Sequence, residues 1–223
     1  MKLNAPVISR LALLIVCAVA LSGCHFTIQR ETEIILTENV TVSGANRINN
    51  TNGTLTENDL YEEVLLQGWK NGLVTFPLGT NCDFTKNILE LAEKVKDPVQ
   101  FLDSPFAPLL KIFFVQGKLD GLVLTKIALE PSSGNFDTIT RCSLRAFDET
   151  QGTINSYSAA GPFQGKPVLT PDRNIDIYRV IRDAGVECLT SEMTMQGSRP
   201  QNDLIFTAKA TAVYEVKLRF FSF

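Results

Sequence analysis

From Phe206 to Phe220 every second residue is apolar: Phe206, Ala208, Ala210, Ala212, Tyr214, Val216, Leu218 and Phe220. The positions between them include Thr207, Lys209, Thr211, Glu215, Lys217 and Arg219. Successive side chains of a strand point to opposite faces, so a period of two sustained this long specifies a strand with one buried and one wet face. The run before it behaves likewise. Leu189, Met193 and Met195 fall on one side, and Thr190, Glu192, Thr194 and Gln196 on the other. The six residues between, Ser-Arg-Pro-Gln-Asn-Asp, carry turn chemistry. The two runs are therefore expected to form a hairpin with Gly197 opposite Leu204, Met195 opposite Phe206 and Met193 opposite Ala208. That register puts Glu192 across from Lys209, and a slip of one residue would oppose apolar to polar side chains throughout.

The rest of the chain extends this β-rich pattern. Ile34, Leu36, Val40 and Val42 alternate with Ile35, Thr37, Asn39 and Thr41. Leu109 to Val115 and Leu122 to Leu129 are β-rich runs, and in Thr138 to Phe147 the residues Cys142, Leu144 and Ala146 share one face. Residues 43–58 are rich in Asn, Gly and Thr and predict a loop. Residues 151–174, broken by Gly and Pro, predict a second loop with an edge strand at Lys166 to Thr170. Two short helices are expected in the N-terminal half. One covers 59–67. The other covers 86–96, capped by Thr85, with Ile88, Leu89, Ala92 and Val95 as its apolar stripe and Asp97-Pro98 as its end. A composition with 44% hydrophobic and 20% charged residues is not that of a disordered chain. The fold class expected is mainly β, an antiparallel β-sandwich of immunoglobulin-like architecture with one or two short helices, in one domain over 33–223.

Histidine is the informative absence for chemistry. The single one is His25, so an imidazole held by the fold for nucleophilic catalysis is missing. Cys82, Cys142 and Cys188 lie far apart and lack the pair spacing of a zinc site. Glu62-Glu63, Asp148-Glu149 and Asp172/Asp176 are the carboxylate pairs available for acid–base work, and all stand in polar or loop contexts. Asp172 to Asp176 mimics the opening of a calcium loop, but Ile177 stands where such a loop needs glycine and Asp183 where it needs glutamate. The alternation of Ile175 and Ile177 reads as a strand start. No metal, cofactor or glycine-rich phosphate loop is expected.

The first residues set the address. Lys2 and Arg10 precede an uninterrupted apolar run from Leu11 to Leu21. About 20 apolar residues are needed to span a bilayer, so the run is a secretory leader rather than a transmembrane helix. It ends in Leu21-Ser22-Gly23-Cys24, which resembles the lipobox of bacterial lipoproteins. The resemblance covers residues 1–24. It implies a signal peptide over 1–23, a lipid on Cys24, and a mature chain tethered through 24–32 to a membrane without spanning it. His25 stands where many inner-membrane lipoproteins carry Asp, which by the same resemblance favours the periplasmic face of the outer membrane.

An oxidising envelope allows one disulfide and one free thiol among the three remaining cysteines. Cys142 points inward and Cys188 lies on a polar face. Cys82, in a loop, is freer to reach either. Cys82–Cys188 is preferred over the two other pairings, with no disulfide as the alternative. Removing Lys2 and Arg10 from 21 basic residues leaves 19 against 24 acidic ones, a net charge of about −5. That balance, with no run of basic residues, argues against nucleic acid as a partner. Charged Glu215, Lys217 and Arg219 argue against a lipid-facing barrel strand at the C-terminus. The function expected is a non-enzymatic binding or structural module at the envelope, which either binds an envelope protein as an accessory subunit or simply presents a sandwich surface. The alternatives are a hydrolase working through carboxylates and a carrier of lipid or small ligands.

Overall fold

The structure, a computed structural model, describes residues 26–45, 65, 67–97, 114–150 and 152–220. Its elements run in the order β1 Phe26–Val42, β2 Leu73–Asn81, α1 Cys82–Lys94, β3 Phe114–Ser133, β4 Ile139–Asp148, β5 Gly152–Ala160, β6 Val168–Pro171, α2 Ile177–Ala184, β7 Leu189–Gly197 and β8 Leu204–Phe220. The protein is mainly β. Eight strands are ordered β1-β8-β3-β6-β5-β4-β7-β2, and the pairings of β2, β4, β5, β6 and β7 are antiparallel. A sandwich is compatible with this antiparallel pattern.

The alternation of β8 reads out as burial. Leu204, Phe206, Ala208, Ala210, Ala212 and Val216 are fully buried, as are Met193 and Met195 of β7. The hairpin itself is not formed. β7 lies between β4 and β2, with Met195 opposite Cys142 and Val74, while β8 lies between β1 and β3. The reason lies in the 198–203 link, which docks on the end of β1 instead of turning. Ala45 N donates to Pro200 O at 2.8 Å, Gly44 N to the Asp203 carboxylate at 2.8 Å, and Arg199 Nε to Ser43 O at 2.9 Å. A Cβ on Gly44 would sit 2.2 Å from the Asn202 carbonyl carbon, so the close approach needs glycine there. The wet-face pairs change accordingly. Glu192 meets Arg145 of β4 at 2.7 Å, and Lys209 meets Glu130 of β3 at 2.5 Å.

Other elements differ from the sequence expectation for local reasons. β1 begins at Phe26, so most of the stretch read as tether is strand. α1 begins at Cys82 because Asn81, not Thr85, supplies the cap: its Oδ1 accepts from Phe84 N at 2.8 Å. Thr85 is buried, with its hydroxyl within hydrogen-bond reach of Cys82 O at 2.7 Å and of Glu187 O. Ile88, Ala92 and Val95 form the buried stripe, while Leu89 is 44% exposed. The helix expected over 59–67 falls largely outside the described residues. The loop expected over 151–174 contains β5, and β6 is interior, between β3 and β5. The strand start expected at Ile175 is instead the entry to α2. Asp176 accepts from Arg179 N at its N-terminus, Gly185 closes it at φ 67°, and Ile177, Tyr178 and Ile181 are buried.

Packing divides the chain into two compact units. The smaller comprises the described residues of Met1–Arg30, Ile88–Leu122 and Tyr214–Phe223. Val95, Leu119, Leu122, Val216 and Leu218 are buried within it. Gly117 N donates to Lys96 O at 3.4 Å, and a Cβ on Gly117 would stand 1.9 Å from Val95 O. Lys217 pairs with Asp120 at 2.6 Å. The larger unit comprises Glu31–Asn87 and Val123–Val213. Its core includes Phe136 and Phe206, edge to face with ring centroids 5.6 Å apart, along with Ile139, Leu144, Tyr157 and Leu169.

Candidate functional site

Three features of the larger unit bear on function: a small cavity, a crosslink beside it, and a charged ladder on the outer face. The cavity measures about 40 Å³. Its walls come from β1 (Leu36), β2 (Asn81), α1 (Phe84), β3 (Leu124, Ile127), β4 (Leu144, Ala146), β5 (Tyr157) and β7 (Leu189, Ser191). It is apolar apart from three side chains. Asn81 Nδ2 donates to Leu36 O at 2.9 Å, which ties the end of β2 to β1, although these strands stand at opposite ends of the strand order. Asn81 thus performs two tasks, capping α1 with its oxygen and latching β1 with its nitrogen. Burial pushes the Tyr157 phenol up to about 12, against a smaller opposite pull from Asn155. Tyr157 therefore stays neutral at ordinary pH and offers no phenolate to chemistry.

The volume limits what the cavity can take. An apolar cavity of roughly 150 Å³ accommodates benzene, and pockets for drug-sized ligands run to about 300–1,000 Å³. A space of about 40 Å³ suits one small aliphatic group, not an acyl chain.

Cys82 and Cys188 are bonded across a sequence separation of 106, with S–S 1.97 Å and Cα atoms 4.1 Å apart. Both neighbour cavity residues in sequence, Asn81 and Leu189, so the crosslink sits at the rim. Cys142 is a fully buried free thiol on β4 between Ala159 and Met195. Burial pushes its pKa up to about 12, so it is neither a nucleophile nor a ligand at neutral pH. Cys24 and His25 lie outside the described residues.

Of the candidate carboxylates, Asp148 and Asp176 are occupied structurally. Asp148 accepts from Thr150 N at 2.9 Å, and Asp176 caps α2 and meets Arg179 Nε at 3.1 Å. Glu62-Glu63 lies outside the described residues. Glu130 is held below the usual carboxylate range by hydrogen bonds from Lys209 and Lys166, whose Nζ atoms stand 2.5 and 2.9 Å away. Asp183 is lowered by Arg182 at 2.6 Å. Lowered carboxylates are poor general acids. Among the described residues no group of three or more His, Cys, Asp and Glu side chains could hold a metal ion. No described helix is long and apolar enough to cross a membrane.

Glu130 belongs to a row of alternating charge across four segments of the outer face. Lys166, just before β6, meets Glu130 on β3, and Glu130 meets Lys209 on β8. Lys209 is raised chiefly by Glu130, with a further contribution from Glu33 on β1. The row reads Lys166, Glu130, Lys209, Glu33 and stops at the last strand of the sheet.

No known protein family matches the chain, and no curated protein does. Among solved structures, a decameric BFDV capsid protein aligns at 11% identity and a TM-score of 0.29, covering 88% of this chain and 99% of that one. The semi-empty virus-like particle of the giant freshwater prawn Macrobrachium rosenbergii nodavirus aligns at 10% identity and 0.25, covering 88% and 85%. Overlays this loose carry no argument about fold or role.

Proposed function

We propose that the chain is a bacterial lipoprotein, anchored through a lipid on Cys24 at the periplasmic face of the outer membrane, whose β-rich body is a non-enzymatic module that binds a protein partner. The observation behind the binding role is β1. It ends the strand order, so among the described residues one of its edges carries no neighbouring strand, and it starts two residues after Cys24. An unpaired edge is a template for another chain, and natural proteins blunt or cover such edges when they are not used. A hydrolase draws no support from Asp148, Asp176, Glu130 and Asp183, which are engaged in a turn, a helix cap and ion pairs. A lipid carrier draws none from a cavity of about 40 Å³.

The experiment is membrane fractionation followed by purification in mild detergent. The native chain should stay with the membrane through an alkaline wash and bring down a stoichiometric protein. Cys24→Ala should leave uncleaved or released chain. If the mutant, cleaved normally, still resists the wash, the anchor reading fails. If the native chain emerges from gentle extraction as an isolated monomer, the partner reading fails.

A further inference from the structure

The two ends of the sheet are not alike. β2 is blunted: Pro77 has no N–H to offer, its pairing with β7 shifts between Pro77 and Gly79, and Gly79 takes φ 108°. β1 carries no proline, and its one residue with positive φ, Asn39, lies beyond Leu36. Leu36 O points away from β8, because Asn81 reaches it from β2. By the alternation of a strand the N–H and C=O of Ile34 and Thr32 point outward as well.

The side chains say what such a neighbour should look like. On the inner face Thr32, Ile34 and Leu36 are only half-buried, although the same face of β8 is fully buried at Phe206, Ala208 and Ala210. Among the described residues β8 has a strand on each side, and β1 has one on the β8 side only. The cavity beside Leu36 has room for one small aliphatic group. On the outer face Glu31 and Glu33 are exposed, and Glu33 is the acidic end of the Lys166, Glu130, Lys209, Glu33 row. Continuing that alternation by one strand places a cation beside Glu33.

We infer that residues 31–35 of β1, the stretch before the Asn81 latch on Leu36, accept an extended segment of a partner protein, in which aliphatic residues facing Thr32 and Ile34 alternate with Lys or Arg facing Glu31 and Glu33. Main-chain hydrogen bonds supply the pairing, and the alternating side chains supply the choice of segment. This rests on the binding-module reading above and specifies its partner.

The test uses the full chain in detergent and a capped seven-residue peptide alternating Val and Lys. Its binding should slow amide exchange at 31–35 and leave β2 unchanged. Glu31→Lys/Glu33→Lys, at two exposed positions, should weaken it at least about fivefold, as expected for two cross-strand attractions turned to repulsions. The same peptide N-methylated at alternate amides should lose binding, since its side chains and charge are kept and only the main-chain donors are gone. Equal binding of the N-methylated peptide, equal binding of a Val-Glu peptide, protection at β2, or no binding of the Val-Lys peptide would each overturn the inference. The last would make Glu31 and Glu33 guards against edge pairing. None of these results touches anchoring, which the Cys24→Ala fractionation decides separately.

Discussion

Breaking the Cys82–Cys188 bond should lower stability by an amount that its position fixes. The bond closes a loop of about 106 residues, for which loop-closure entropy gives about 4.7 kcal/mol at 25 °C. Measured losses for native disulfides run about 2–5 kcal/mol, because residual structure in the reduced unfolded chain shares the constraint. For a chain of this length each kcal/mol corresponds to about 2–4 °C, so a loss of about 2–5 kcal/mol should lower the melting temperature by about 4–20 °C. Cys82 is exposed and Cys188 half-buried, so dithiothreitol should reach the bond without denaturant. Calorimetry with and without reductant, repeated on Cys82→Ala/Cys188→Ala, measures the effect, and the alanine pair should reproduce reduction because it empties little core. Melting of the reduced and oxidised forms within 2 °C of each other would refute the reasoning. The crosslink would then join residues already close in the unfolded chain.

Three further outcomes follow from other features. In a chain lacking residues 1–24, Cys142 should fail to react with a thiol reagent at pH 8 while folded and release one equivalent on unfolding without reductant. Prompt reaction of the native protein would mean that β4 is not buried there. Glu130 is lowered by its two lysines, so its contribution to stability is present above the unfolded carboxylate pKa and lost as pH falls through its folded value. Lys209 is raised, so its share is present below the unfolded lysine pKa and lost as pH rises through the folded one. Unfolding curves across acid pH should flatten in Lys166→Met/Lys209→Met, and unchanged curves would sink the assignment. Gly117→Ala should cost about 1–3 kcal/mol or more by forcing a methyl against Val95 O, read as a lower urea midpoint with an unchanged slope.

The faces of the strands were legible in the sequence, and their neighbours were not. Period two in 204–218 shows which residues are buried, because burial acts on each side chain separately. Which strand lies alongside is a different quantity. Met193 and Met195 satisfy the same inward face opposite Leu144 and Cys142 of β4 as they would opposite β8, so alternation leaves the partner undetermined. The link decides, through three hydrogen bonds to the end of β1 that no local pattern announces. β5 escaped notice because Gly-Thr-Ile-Asn-Ser-Tyr-Ser-Ala-Ala is polar for a strand, and its Asn155 is buried by donating to Arg173 O at 3.0 Å. α2 was hidden by two isoleucines at strand spacing, although Asp176 and Gly185 mark its ends. Of the cavity, the Cys82 and Cys188 rim could be anticipated from exposure. The convergence of Leu36, Asn81 and Tyr157 could not, since it depends on how far the sheet curls. The signal that was present and misread is Asn81, a better cap than Thr85 and the first residue of the latch.

Cys142 has a consequence for how the chain comes to be correctly oxidised. Among Cys82, Cys142 and Cys188 three isomeric crosslinks can form, and oxidants do not choose among them. Only the isomer that leaves Cys142 reduced lets its sulfur take its place at 0% exposure between Ala159 and Met195. Either of the other isomers would draw that sulfur out to Cys82 or Cys188 and leave β4 unable to close against β5 and β7. The core thereby selects the isomer, and once it has closed, the unused thiol is shut away from the disulfide it could otherwise attack.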